Sequence, residues 1–288
     1  MLAIKNKHPM DSRIQFEEST HIYTIDGDTS FTSVTTFVHH QFPAFHAEEV
    51  IKSLLAEKKA NGRPNENKYR KEAIVNLLEK HQNLSQMEAT ALINDTKSTY
   101  YKAAADAIAT KWKETSTSGT KIHADIEYFY NDLPQENDSI EYRFFEAFRK
   151  DFERDFPQYR PYRTEWTVFH KELKIAGSID MVFENVEDGT LMIYDWKRVK
   201  SIEYDSYGGE GGLGKCADLP NTNFWHYSMQ LNTYRAILES EYGKTVSKLM
   251  LVRLYPDAPN YELHECHDLR DRVAELFEER RERSAYRH

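Results

Sequence analysis

Two hydrophobic periods divide the chain. From Val34 to about Tyr130 apolar residues recur every three to four positions, the spacing of one helix face. AEEVIKSLLAEKK (47–59), YRKEAIVNLLEKH (69–81) and SQMEATALINDTKSTYYKAAADAIATKWKE (85–114) are rich in Ala, Leu, Glu and Lys and predict helices. Pro64 and the polar stretch 61–67 separate the first from the second. Ser118-Gly119 predicts an interruption before the next helix, TKIHADIEYFYND (120–132), and ENDSIEYRFFEAFRKDFERDF (136–156) predicts another that stops before Pro157. Upstream, HIYTIDGDTSFTSV (21–34) alternates around Asp26-Gly27 and predicts a short hairpin leading into a helix start.

After Pro161 the period shortens. YRTEWTVFH (162–170), LKIAGSIDMVFE (173–184) and LMIYDWK (191–197) alternate or run apolar with β-branched and aromatic residues, predicting three strands with a turn at Glu187-Asp188-Gly189. A polar, glycine-rich loop spans about 201–223. An amphipathic helix is predicted from Asn223 to its stop at Gly243, then strands in SKLMLVRLY and NYELHEC, then a closing helix in LRDRVAELFEERRER. The expected fold class is α/β: a mixed sheet flanked by helices, with a helical N-terminal extension. The expected organisation is one domain over 1–288, mainly helical over 1–117 and with its core over 118–288.

The 40% hydrophobic and 30% charged content fits a globular core, and no apolar run approaches the roughly 20 residues that span a bilayer. No secretory signal opens the sequence, and two cysteines supply neither a disulfide framework nor a cysteine cluster, so an intracellular, reducing compartment is expected. The net charge of −9 argues against a protein that coats DNA, and leaves open one that combines a basic groove with an acidic pocket.

Asp195 and Lys197 are two apart on a predicted strand and share a face, with Trp196 turned to the core. Asp180 lies on the preceding strand, where a hairpin brings it beside Asp195. Two converging carboxylates suit a hard cation such as Mg²⁺, and a neighbouring lysine can hold water or stabilise a phosphate. The competing reading is a surface Asp–Lys pair near a turn. His123 and Glu127 share a helix face, and His226, Gln230 and Tyr234 recur at four-residue spacing on the helix after the strands. GEGGLGK (209–215) has P-loop spacing, but Cys216 follows it and no strand precedes it, so that reading is rejected in favour of a mobile loop beside the site. Ser33 is either a plain N-cap or a cap that also binds phosphate, and Arg198 and Lys200 are phosphate contacts or solvated surface.

Gly119-Thr120…His123, Glu165, Gly177-Ser178-Ile179-Asp180, Asp195-Trp196-Lys197 and Gln230…Tyr234 occur in that order between 119 and 234. In this the chain resembles the RecB-like branch of the PD-(D/E)XK nucleases. The resemblance implies a restriction-endonuclease-like core and a Mg²⁺- or Mn²⁺-dependent DNA exonuclease acting on single-stranded or frayed ends. His123, Asp180, Asp195 and the Trp196 carbonyl would hold the metal, with Lys197 as catalytic lysine. Glu165 would be the upstream acid, as a second-metal ligand or an orienting group, and Gln230 and Tyr234 would orient the site or the substrate backbone, although Tyr227, Leu231, Tyr234 and Leu238 also form a core stripe. Ser33, Thr120, Arg198, Lys200 and Tyr234 are the candidates to contact nucleic acid. Imidazole suits Mn²⁺ better than Mg²⁺. Relatives with an iron–sulfur cluster use four cysteines, so no such cluster is expected here. A structure-specific endonuclease on the same core and a catalytically silent DNA-binding module are the alternatives.

Overall fold

The computed structural model of the chain describes residues 1–60, 63–65 and 67–285. The first elements are α1 (Leu2–Lys5), β1 (Ile14–Glu17), β2 (Ile22–Ile25), β3 (Thr32–Ser33) and α2 (Val34–His39). There follow α3 (Ala47–Leu55), β4 (Lys58–Ala60), β5 (Arg63–Asn65), α4 (Lys68–Lys80), α5 (Gln86–Asn94), α6 (Thr99–Tyr130) and α7 (Ile140–Asp155). The last are β6 (Tyr159–His170), β7 (Ile175–Asn185), β8 (Leu191–Lys197), α8 (Asn223–Glu241), β9 (Val246–Arg253), β10 (Glu262–Glu265) and α9 (Arg270–Ala285). They form two units: Met1–Ala44 with Gly119–His288, and Phe45–Ser118.

Phe45–Ser118 has its own apolar core, in which Ile51 and Leu55 of α3 meet Ile74 and Leu77 of α4, Ala89 and Ile93 of α5, and Ile108 of α6. The long helix expected over 85–114 is two helices. Asp95 accepts from the Lys97 N–H and Ser98 from the Tyr100 N–H, so side chains take backbone donors that a continuous helix would use internally. The break expected between the first two helices is a short hairpin, β4 with β5; Asn61, Gly62 and Glu66 of that stretch lie outside the described residues.

The other unit is built on a six-stranded mixed sheet, ordered β10-β9-β8-β7-β3, with β6 also paired to β7. β6 follows β7 antiparallel along one edge. The other edge of β7 takes β8 antiparallel at 181–184 and β3 parallel at Ile175 and Ala176. Among the described residues, 177–180 have no strand partner on that edge, so β7 and β8 part at Asp180, beyond the last pair Met181–Tyr194. β8 continues parallel to β9 as far as Lys197. One face of the sheet packs against α2, α8 and α9 through Val34, Phe37, Leu231, Ile237, Val273 and Leu276. The other packs against α7 and the end of α6 through Ile122, Ile126, Phe145, Phe148 and Trp196. The mixed sheet with helices on both faces agrees with the α/β class expected.

Three expectations for this unit are corrected. The hairpin lies upstream, β1 against β2 with Ile14 opposite Ile25, while Asp26-Gly27 makes a tight turn of two left-handed residues closing Ile25 onto Asp28. Ser118-Gly119 does not interrupt α6: Thr117 and Ser118 bond back to the carbonyls of Lys113 and Glu114, and one interior glycine costs a helix only about 1 kcal/mol. α8 is not amphipathic but buried on most sides, since the sheet, α2 and α9 all pack on it. Among the described residues no helix is long and apolar enough to cross a membrane.

Candidate active site

The parting of β7 and β8 exposes the edge on which the candidate chemistry gathers. Asp180 closes the unpaired stretch of β7, and its Oδ2 accepts the Trp196 N–H at 2.9 Å, so the carboxylate stands in for the next rung of the ladder. Glu165 lies on β6 between Thr164, opposite Met181, and Trp166, opposite Ile179, which sets it across from Asp180. α6 brings His123 over the same point: Nδ1 is 3.4 Å from Asp180 Oδ2, and Nε2 is 2.8 Å from the Trp196 carbonyl oxygen. Ligand atoms of His123, Glu165 and Asp180 all lie within 4.8 Å of one another. One turn of strand further, Lys197 Nζ sits 2.5 Å from Asp195 Oδ2 and 4.5 Å from the Tyr227 ring centroid, on α8.

Burial and mutual repulsion set the electrostatics. Burial, then the charge of Asp180, pushes the Glu165 carboxyl up to about 8, although Ser178 donates to its Oε2 at 2.9 Å. The same two causes push Asp195 up to about 6. Burial acts to lower Lys197, but Asp195 and Asp180 outweigh it and hold the ammonium well above its usual range. Two carboxylates, Asp195 and Asp180, therefore act on one ammonium at a half-buried site. Asp195 Oδ2 is buried, with the Lys197 ammonium as its close partner.

No protein-family model and no curated protein sequence matches the chain.

The residues themselves fit a divalent cation. A carbonyl can only accept, so the 2.8 Å contact to Trp196 puts a hydrogen on His123 Nε2. Nδ1 faces Asp180 Oδ2 with Glu165 alongside, a set of one nitrogen and two carboxylates that a divalent cation can share. This set differs from the expected one. Glu165, expected as a second-metal ligand or an orienting group, shares one group with His123 and Asp180, whereas Asp195 is ion-paired to Lys197. The Trp196 carbonyl, expected as a ligand, is bonded to His123.

Gln230 donates to the Tyr234 hydroxyl at 3.4 Å. The Tyr234 ring is buried against Gly177, where it underpins β7 and offers no face to a strand of nucleic acid. Arg198, expected at phosphate, is ion-paired to Glu141 at 2.7 Å because α7 carries that acid beneath it. Ser33 caps α2, its Oγ accepting from the Thr36 N–H. Lys200 and Thr120 are exposed, Thr120 one helical turn before His123. His226 is outside the group, bonded to Asn221 over the Phe42 ring, and burial lowers it to about 4. The glycine-rich loop, expected to be mobile, folds back on itself: Gly212 donates to Leu219, and a Cβ there would meet Cys216 O at 2.5 Å. Ser178 bonds to Glu165 and the Tyr227 ring lies against Lys197, contacts that the sequence pattern does not assign to them. Ser178 carries the two-residue spacing to Asp180, and Tyr227 the three-residue spacing to Gln230. A cavity of about 480 Å³ in the other unit, walled by Tyr69, Leu77, Ile93, Tyr100 and Ile108, holds none of these groups.

Proposed function

We propose that this chain is a metal-dependent DNA nuclease of the PD-(D/E)XK type, in its RecB-like branch, on a restriction-endonuclease-like core. The observation that carries the reading is the convergence of His123, Glu165 and Asp180 beside the Asp195–Lys197 pair, at the point where β7 and β8 part. His123, Glu165 and Asp180 would hold Mg²⁺ or Mn²⁺. Such an ion, when bound, acidifies water and neutralises charge developing on a phosphate. Lys197 keeps its proton throughout the neutral range, so its ammonium is suited to bind a phosphoryl oxygen or to orient the attacking water, and not to act as a base. Asp195 aims that ammonium. Glu165 exchanges its proton near neutrality, which fits a group that gains a cation as it loses a proton. DNA as substrate and a preference for single-stranded or frayed ends come from the motif resemblance.

The test is digestion of end-labelled linear single strands with Mn²⁺ supplied, beside closed circular DNA. Linear strands should be degraded and circles left intact. Asp180→Ala and Lys197→Ala should each lower the rate by about a hundredfold or more with the fold retained. Cleavage near the wild-type rate by either variant rules out the site, and cut circles rule out the requirement for ends.

A further inference from the structure

β6 kinks at Glu165. Its φ is +43°, a left-handed value in the middle of a strand. A side chain other than glycine is strained there, and the conformation persists only where its surroundings over-determine it. In an unbent strand residues 163 and 166, three apart, face opposite sides. Here both reach one carboxylate. Arg163 Nη1 donates to Asp11 Oδ2 at 2.8 Å, and Trp166 Nε1 donates to Asp11 Oδ1 at 3.1 Å. The guanidinium lies 4.8 Å from the Trp166 ring centroid. β7 shows the matching break opposite: Ile179 packs into the core on one side of the sheet and Met181, two residues on, into the core on the other.

The bend is tied at further points by the start of the chain. Asn6 Nδ2 donates to Tyr162 O at 2.7 Å, and Arg163 Nη1 to Asn6 O at 3.0 Å. Thr164 Oγ1 accepts from Asn131 Nδ2 at 2.8 Å, while Asn131 Oδ1 accepts the Leu2 N–H at 2.8 Å. Asp11 is itself held, its Oδ2 accepting the His8 N–H at 2.8 Å at the start of the 3₁₀ turn Pro9–Arg13. Every residue from 162 to 166 except Glu165 is therefore held by residues 2–11 or by Asn131 at the end of α6. Glu165 alone points to the metal-ligand group.

We propose that Asp11 is a positioning residue for this site: by gathering Arg163 and Trp166 on one side of β6, it locks the kink that turns the Glu165 carboxylate toward Asp180 and His123. The role rests on the metal-site reading above, since Asp11 is not a member of the ligand group. Asp11→Asn keeps the volume and removes the charge that Arg163 requires. In the full-length, metal-free chain, amides over 162–167 should then exchange hydrogen faster than in the wild type. Mn²⁺ affinity, read from the electron paramagnetic resonance of free Mn²⁺, should fall about tenfold, as when a group supporting a ligand is lost. Leu276→Ala, a core truncation on α9, should lower the melting temperature and leave Mn²⁺ affinity unchanged. Wild-type exchange in Asp11→Asn, or an equal loss of Mn²⁺ affinity in Leu276→Ala, overturns the proposal. A wild-type chain that binds no Mn²⁺ overturns the metal-site reading instead, and hydrogen exchange alone then decides whether Asp11 holds the kink.

Discussion

Glu165 is the residue whose titration reports on the site. Its folded value of about 8 lies above the ordinary 4.5, and burial is the larger cause. A group raised in the folded state contributes stability that is fully present below its unfolded value and is lost as pH rises through its folded one. Glu165 should therefore subtract stability from the metal-free chain between about pH 4.5 and about 8, and Asp195 between 3.8 and about 6, while His226, lowered to about 4, adds stability up to about 6.5. Glu165→Gln should flatten the part of the slope above pH 6, which Asp195 does not share. Mn²⁺ should raise the melting temperature more at pH 8 than at pH 6, because it replaces the proton that neutralises Glu165 at the lower pH. Thermal melts in chelator and in Mn²⁺ measure both. A Glu165→Gln chain with the wild-type slope would show that some other group titrates.

At the scale of elements, the decisive contact is between β7 and α8. Gly177 is where the Tyr234 ring lies on the strand: a Cβ there would come within 2.7 Å of Tyr234 Cε1, 2.9 Å of its hydroxyl and 3.0 Å of Val34 Cγ2. Tyr234 is 3% exposed and cannot swing aside. Gly177→Ala should destabilise the chain by about 1–3 kcal/mol through overpacking, three residues from Asp180. The loss should shrink in a Tyr234→Leu background, and a urea-denaturation double-mutant cycle reads the coupling. Equal losses in both backgrounds would place the strain elsewhere. The glycine and tyrosine of the motif are thus one packing unit, visible in sequence only as two letters 57 positions apart. Helices and strands were legible where one period ran long, as in α7, β6, β7 and β8. They were misread where side chains compete for backbone groups, as at Asp95 and Ser98, or where a turn signal sat inside a stable helix, as at Gly119.

At the scale of the molecule, the two units have separate cores. Ile51, Leu55, Ile74 and Ile93 serve one, and the two faces of the sheet serve the other. Calorimetry should resolve two transitions, and Mn²⁺ should move only the one belonging to the sheet unit, which holds His123, Glu165 and Asp180. A single transition, or a shift of both, would mean the units melt as one.

The amino-acid sequence by itself determined the α/β class and the common face of Asp195 and Lys197, because side-chain direction along a strand follows from local geometry. It also marked His123, Glu165 and Asp180 as candidates. Only the tertiary structure decided which of them meet. Glu165 enters the group through a left-handed residue clamped by Asp11 and Asn131, 154 and 34 positions away, and Asp195 leaves it because Lys197 takes its carboxylate. Arg198 is drawn to Glu141 by the docking of α7. Such outcomes depend on distances between segments remote in the chain, set by how the sheet and helices pack, and no local period encodes them.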